Sequence, residues 1–301
     1  MIALYILWAV AEIFVVAIVL LFALDAALRL RLNSDVSVSI ETGSANNGTL
    51  IVYLPGILSG GRVSSVDLID VWRRHSDRVM LVEYGDNRFD GEYSTRVVSD
   101  AIQRQIIATP FSHIVFIGSS MGGLVAYDVI RQLKLDDSVS TELILLDAPT
   151  SASDLQAFNG LIARVAPPIL RMFAPGPISN QLNLVGWLFV PPKDENVEPG
   201  VNRAELARRV KAAGSYRLSF WHDQLVYITS HGALKADSLE GRVDRLVYVR
   251  STRDHDTVRP EAYKTWASTT RIATRKEVDS THVGFAERPK TWQQAFEELL
   301  S

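Results

Sequence analysis

The chain has 301 residues, of which 47 % are hydrophobic and 22 % are charged, as in a folded protein with a core of ordinary size. Its formal net charge is −3 and its Lys and Arg residues are scattered, which argues against nucleic acid as a partner. The absence of cysteine excludes disulfides, a cysteine nucleophile and thiolate metal sites.

The first segment, residues 1–24, is apolar except for one charged residue, Glu12. About 20 mostly apolar residues suffice for a helix to cross a bilayer, so we predict a transmembrane anchor over residues 1–28. A cleaved signal peptide fits less well, because no Lys or Arg precedes the run, and an interfacial helix is a further alternative. Arg29 and Arg31 follow directly, so the positive-inside rule predicts a single-pass membrane protein whose main domain, residues 34–301, is cytoplasmic.

Strand-like and helix-like segments alternate between residues 36 and 146. Short β-branched and apolar runs predict strands over residues 36–40, 49–54, 79–83, 113–117 and 142–146. Apolar residues at helical spacing predict helices over residues 65–75, 94–108 and 121–133. The first helix should bury Val66, Leu68, Ile69 and Trp72, and the second should bury Val97, Val98, Ile102 and either Ile106 or Ile107. This alternation indicates an α/β fold with a mostly parallel central sheet and helices on both faces.

The alternation stops in the middle of the chain and then resumes. Residues 148–241 contain no clean strand, are punctuated by prolines and have a helical character. After them we predict strands over residues 245–250 and 271–278 and helices over residues 260–267 and 289–300. A crossover needs far fewer residues than this middle segment contains, so residues from about 150 to 240 are predicted to form an inserted cap or lid.

A possible nucleophile lies between the strand at 113–117 and the helix at 121–133. Gly118-Ser119-Ser120-Met121-Gly122 fits the pattern G-x-S-x-G, and Gly123 follows. A strand, a sharp turn and a helix in this order lift a serine hydroxyl above the sheet edge, and the glycines permit the close backbone contacts that such a turn needs. The alternative is an ordinary glycine-rich turn in which Ser120 merely caps the helix.

This arrangement resembles the nucleophile elbow of the α/β-hydrolase superfamily, over roughly residues 36–301. The resemblance implies an oxyanion loop after the strand at 49–54, which ends in Pro55-Gly56-Ile57-Leu58. The implied oxyanion donors are the N–H of Ile57 or Leu58 and the N–H of Met121; a flexible glycine turn is the alternative. Ser119 departs from the family, where His is frequent before the nucleophile.

The resemblance also implies an acid after a late strand and a histidine near the C-terminus. Asp254 and Asp256 both follow the strand at 245–250; we favour Asp254 narrowly, with Asp256 as the alternative acid. Asp147, after the strand at 142–146, is a third candidate, because a minority of the family places the acid there. His282 follows the last strand and precedes the last helix, so it is the implied general base, and a solvated loop histidine is the alternative.

The function that the resemblance implies is a serine esterase or lipase-like hydrolase that forms an acyl-enzyme through a Ser-His-Asp triad. An acyltransferase or amidase with the same triad, or a non-catalytic binding module, are the alternatives. Relatives that cleave epoxides carry Asp at the elbow and are disfavoured. The anchor and the apolar cap segment favour a small-molecule or lipid-like ester or thioester as substrate. We predict no cofactor and no metal, since the sequence contains no His-Glu-x-x-His or paired-His spacing.

Overall fold

The structure, a computed structural model, describes residues 16, 20, 36–57, 61–84, 89–155, 194–213, 218–254 and 257–301. The predicted anchor over residues 1–28 lies outside the described residues, except for Val16 and Leu20. Within the described ranges, no helix has both the length and the apolar character that crossing a membrane would require.

A seven-stranded sheet forms the centre of the described chain. Its strands are β1 Ser37–Thr42, β2 Thr49–Leu54, β3 Arg78–Glu83, β4 His113–Ser119, β5 Ser140–Leu146, β6 Arg245–Ser251 and β7 Ala273–Val278. The spatial order is β1-β3-β2-β4-β5-β6-β7, and only β1 runs antiparallel to its neighbour. All seven predicted strands are present with boundaries within two residues, so the prediction of a mostly parallel sheet is confirmed.

The helices of the described chain are α1 Gly61–Ser65, α2 Ile69–His75, α3 Gly91–Ala108, α4 Met121–Gln132, α5 Arg203–Ala213, α6 Leu218–Ser230, α7 Ala262–Ala267 and α8 Pro289–Leu300. Two apolar clusters lie on opposite faces of the sheet. Helices α3, α4 and α7 contribute to one cluster, while α2 and α8 contribute Trp72, Trp292 and Phe296 to the other. The prediction of helices on both faces is therefore confirmed.

The predicted helix over residues 65–75 is wrong in detail. The chain forms two short helices, α1 and α2, separated by a turn at residues 66–68. This turn leaves Val66 46 % exposed, whereas Leu68 and Trp72 are fully buried. The Asp67 carboxylate in the turn pairs with Arg209 of α5 at 2.6 Å.

The last inward residue of α3 is Ile106, not the alternative Ile107. Val98 and Ile102 are buried, and Ile106 packs against the same cluster one helical turn later. Ile107 is 77 % exposed. A spacing of four residues keeps side chains on one face of a helix, and Ile107 falls off that face.

Part of the predicted cap lies within the described residues. It includes the 3₁₀ helices Ala152–Asp154 and Asp194–Asn196 together with α5 and α6, while residues 156–193, which hold most of its apolar positions, lie outside. Leu155 forms an antiparallel bridge with Val258, so the segment leaves the sheet beside the loop that follows β6.

Candidate active site

The candidate residues lie at one edge of the sheet because β2, β4, β5, β6 and β7 are parallel. Loops after the carboxyl ends of parallel strands meet at the same edge, where α/β folds place their ligands. In strand order, these loops carry Ile57, Ser120, Asp147, Asp254 and His282.

Ser120 occupies a strained turn between β4 and α4. Its backbone has φ 50° and ψ −122°, a conformation that costs a residue with a side chain about 1–3 kcal/mol. The Ser120 N–H donates to the Leu146 carbonyl at 2.8 Å, which ties the turn to the end of β5. The Ser120 side chain makes no capping hydrogen bond to α4, so helix capping does not account for this serine.

The glycines around Ser120 allow three chain segments to meet. A Cβ at Gly122 would lie 2.1 Å from the Leu54 carbonyl oxygen, and one at Gly118 would lie 2.7 Å from the Cα of Gly123. A Cβ at Gly123 would lie 2.5 Å from the Ala148 side chain. The turn is therefore packed against backbone carbonyl groups at the end of β2 and against the Ala148 side chain after β5.

His282 and Asp254 are brought together from two different loops. The His282 Nδ1 lies 2.9 Å from the Asp254 Oδ2, and the His282 side chain keeps 23 % of its exposure while Asp254 is buried. The Thr257 N–H donates to the other oxygen of Asp254 at 3.0 Å. This pairing fixes one imidazole nitrogen as the donor and leaves Nε2 as the acceptor, which is the tautomer of a general base.

Asp147 also approaches the histidine. Its Oδ2 lies 3.8 Å from the His282 Nδ1 and accepts the Val283 N–H at 3.3 Å. Its Oδ1 accepts the Ser251 N–H at 2.7 Å. Two of the three acids considered from the sequence thus converge on one imidazole, and Asp254 holds the shorter contact. The third, Asp256, lies outside the described residues.

The two carboxyl groups differ in their electrostatic surroundings. Burial raises the pKa of Asp147, and its hydrogen bonds and the nearby His282 only partly counter this. Burial acts in the same direction on Asp254, but the hydrogen bond and charge of His282 outweigh it and lower the pKa of Asp254. Burial disfavours the charged imidazole, yet Asp254 and Asp147 together raise the pKa of His282. Asp254 is therefore the firmer anion, and both acids stabilise an imidazolium.

The predicted oxyanion donors are only partly within the described chain. Met121 is the first residue of α4, so its N–H has no carbonyl partner within that helix and points toward the space before it. Ile57 is half-buried and packs against the cluster that contains α4, whereas Leu58 lies outside the described residues. The contact between Gly122 and Leu54 brings the loop after β2 directly beside the elbow.

Asp147, Asp254 and His282 are also close enough to share a cation, since their ligand atoms lie within 4.8 Å of one another. Their atoms are already committed, however. The Asp254 oxygen is in hydrogen-bond contact with the imidazole, and both Asp147 oxygens accept backbone N–H groups. We therefore interpret the group as a hydrogen-bonded acid and base cluster.

A polar contact beneath the elbow was not predicted from the sequence. The Tyr53 hydroxyl lies 3.1 Å from the Ser119 hydroxyl and 3.2 Å from the Ser64 hydroxyl of α1. Burial raises the pKa of Tyr53 to about 12, so the hydroxyl keeps its proton. Tyr53 lies in an all-buried strand, where no alternation of polar and apolar residues could single it out.

Comparisons with known proteins identify the family and the fold. The model of the "Alpha/beta hydrolase family" matches residues 51–292. The fold is similar to a hydrolase from Pseudomonas aeruginosa, with TM-score 0.63 and 14 % identity over 90 % of this chain and 96 % of that one. It is also similar to an esterase from a Rhodococcus species, with TM-score 0.60 and 16 % identity over 88 % and 94 %. An epoxide hydrolase from Bacillus megaterium matches with TM-score 0.59 and 12 % identity over 89 % and 98 %. No curated protein sequence matches the chain.

Proposed function

The chain belongs to the α/β-hydrolase family, and we propose that it is a serine hydrolase that cleaves carboxylic esters. The observation that carries the proposal is the strained Ser120 at the carboxyl edge of the sheet, on the same edge as the His282 and Asp254 pair. A side chain held in so costly a backbone conformation, without a capping bond to its helix, is typical of a nucleophile.

The proposed reaction begins with attack on the ester carbonyl. The Ser120 Oγ forms a bond to the carbonyl carbon while the His282 Nε2 takes its proton. The imidazolium that forms keeps its Nδ1–H on the Asp254 carboxylate, which stabilises the charge. The Met121 N–H, with that of Ile57 or Leu58, receives the developing oxyanion; each such donor contributes about 3 kcal/mol to transition-state stabilisation.

The acyl-enzyme then forms and is hydrolysed. When the tetrahedral intermediate collapses, the bond to the alcohol breaks and the His282 proton passes to the departing oxygen. Water next donates a proton to the His282 Nε2 as its oxygen attacks the acyl carbon. Collapse of the second intermediate releases the carboxylic acid and returns the proton to the Ser120 Oγ. Each cycle consumes one water, so no cofactor enters the chemistry.

The epoxide hydrolase among the similar structures does not change the proposal. Relatives that cleave epoxides carry Asp at the elbow, whereas this chain carries Ser120 there. The similarity to the esterase from Rhodococcus, at 16 % identity, supports a shared fold. The support for ester chemistry is the arrangement of Ser120, His282 and Asp254.

The proposal includes a membrane location and a lipid-like ester as substrate. Its support is the apolar composition of residues 1–24, followed by Arg29 and Arg31 on the proposed cytoplasmic side. Carbonate extraction of membranes that contain the full chain tests the anchor. The chain should stay in the membrane fraction, and release into the supernatant would contradict the anchor without affecting the proposed chemistry.

The ester reaction is tested with the full chain in a mild detergent and p-nitrophenyl esters of short and long acyl chains. We expect Ser120→Ala to lose roughly 10⁶-fold in kcat, as when a serine nucleophile is removed from a triad. Ser119→Ala is the matched control, because it removes a neighbouring hydroxyl that bonds to Tyr53. Equal activity of wild type and Ser120→Ala would refute the proposal. Product formed on added alcohols or amines would indicate an acyltransferase.

A further inference from the structure

Asp147 occupies a strained position that its surroundings hold in place. Its φ is 46°, in the left-handed region that a residue with a side chain rarely adopts. Its N–H donates to the Val249 carbonyl of β6 at 2.9 Å, and the carbonyl of the preceding Leu146 accepts the Ser120 N–H. The next residue, Ala148, accepts hydrogen bonds from Trp266 and Tyr248. The same turn therefore contacts the nucleophile on one side and directs a carboxylate toward β6 and β7 on the other.

The Asp147 carboxylate joins the two loops that carry the acid and the base. One oxygen accepts the N–H of Ser251, whose own carbonyl accepts the Asp254 N–H at 3.3 Å. The other oxygen accepts the N–H of Val283, the residue after His282. The side chain is 2 % exposed, so water cannot replace these contacts at little cost.

We propose that Asp147 is a positioning residue that holds His282 against Asp254 and supplies a second carboxylate to the imidazolium. This inference rests on the proposed ester hydrolysis. Its geometric basis is that two carboxylate oxygens face the same Nδ1, at 2.9 Å and 3.8 Å. A rotation of the imidazole by a small angle would exchange the partner, so Asp147 acts as a reserve acid when the Asp254 carboxylate is replaced by a neutral group.

The charged groups around the imidazole allow a specific test. Asp254, from the loop after β6, and Asp147, from the end of β5, are the groups that raise the pKa of His282 against burial. Tyr248, on β6, lies near Asp147. Burial raises the pKa of the Tyr248 hydroxyl so far that the hydroxyl stays neutral. The response of His282 to pH therefore reports the two carboxylates.

The first experiment follows His282 by NMR in the full chain labelled with ¹³Cε1-histidine, with His282→Gln used to assign its signal. Asp147→Asn should move the His282 titration to lower pH. The matched control is Asp244→Asn, which removes a carboxylate that accepts the Thr141 N–H at the opposite end of β5. It should leave the His282 titration in place. An unchanged titration in folded Asp147→Asn would overturn the proposal. This readout needs no turnover, so it stands even if the chain proves inactive on esters.

The second experiment compares kcat/KM of the wild type, of Asp254→Asn and of the double variant with Asp147→Asn on a short p-nitrophenyl ester. Replacing the acid of a serine triad by its amide costs about 10⁴-fold in kcat. We expect Asp254→Asn to lose less, on the order of 10²-fold, and the double variant with Asp147→Asn to lose the full factor. A full loss in Asp254→Asn alone would refute the reserve role, and this result does not depend on whether Asp147→Asn folds. Ester hydrolysis by the wild type tests the proposed function, whereas the losses in the two variants test the role of Asp147.

Discussion

A close backbone contact in the turn at Ser120 should make replacement of Gly122 costly in both stability and activity. A Cβ at this position would lie 2.1 Å from the Leu54 carbonyl oxygen and 2.6 Å from that of Pro55. Both neighbours are backbone atoms, and Leu54 pairs in register with Gly118 on β4, so neither can rotate away. Gly122→Ala therefore requires β2 and α4 to separate by at least about 1.3 Å to reach an ordinary contact distance of 3.4 Å.

The expected loss of stability follows from two opposing effects. Overpacking of this kind costs about 1–3 kcal/mol, and rigid backbone on both sides places it at the upper end. Alanine in place of glycine returns up to about 1 kcal/mol of helix propensity. The net loss should be about 2 kcal/mol. Since the loop after β2 carries a proposed oxyanion donor, the same shift should lower kcat by about 10²-fold.

Urea unfolding followed by tryptophan fluorescence, with ester hydrolysis in parallel, measures both effects. Gly232→Ala is the matched control, because a Cβ there meets no atom of the described chain within 4 Å and its φ is not positive. It should change stability by at most about 1 kcal/mol, in the stabilising direction. Gly122→Ala with wild-type unfolding and wild-type kcat would refute the reasoning that the elbow is packed against β2.

Three other groups should respond to pH or substitution. The pKa of His282 is raised because its two carboxylates outweigh burial, so kcat/KM should fall as pH drops through a value above 6.5; a limb below 6.5 would contradict this. Tyr53→Phe removes the hydroxyl bonded to Ser119 and should lower stability by about 1 kcal/mol in urea unfolding, with kcat/KM nearly unchanged. Glu198 accepts two backbone N–H groups at the start of α8, so Glu198→Gln should cost about 1 kcal/mol at neutral pH. Burial opposes ionisation of Glu198, but the hydrogen bonds that Glu198 accepts from Thr291 and Lys290 lower its pKa. The stability that Glu198 contributes is therefore fully present above pH 4.5 and is lost as the pH falls through its lowered pKa. Thermal unfolding measured as a function of pH would show this loss.

The fold could be predicted because its strands carry continuous apolar runs. β4 is buried from its second residue to its end, and such a run flanked by helical periodicity indicates a parallel sheet. The predictions of the α/β-hydrolase fold and of a hydrolase are confirmed. The sharp turn at Ser120 could be predicted for a related reason, since Gly118 and Gly122 flank it where one such strand meets an amphipathic helix.

The sequence favoured Asp254 as the acid only narrowly over Asp256 and Asp147. Asp147, Asp254 and Asp256 each follow a strand, and strand ends alone do not say which carboxylate turns toward the histidine. That direction depends on backbone angles such as the positive φ of Asp147, which local propensity does not predict for aspartate in this position. The exposed Val66 is a similar case, because the chain turns at residues 66–68 where helical spacing predicted one continuous helix.

The most direct test of the account is covalent labelling of the full chain with a fluorophosphonate, followed by mass spectrometry of the labelled peptide. A fluorophosphonate reacts with a serine that a neighbouring base has activated. We expect one label, on Ser120, that is lost in Ser120→Ala and slowed in His282→Gln. A folded wild type that takes no label, or takes it on another serine, would contradict the assignment of Ser120 as the nucleophile.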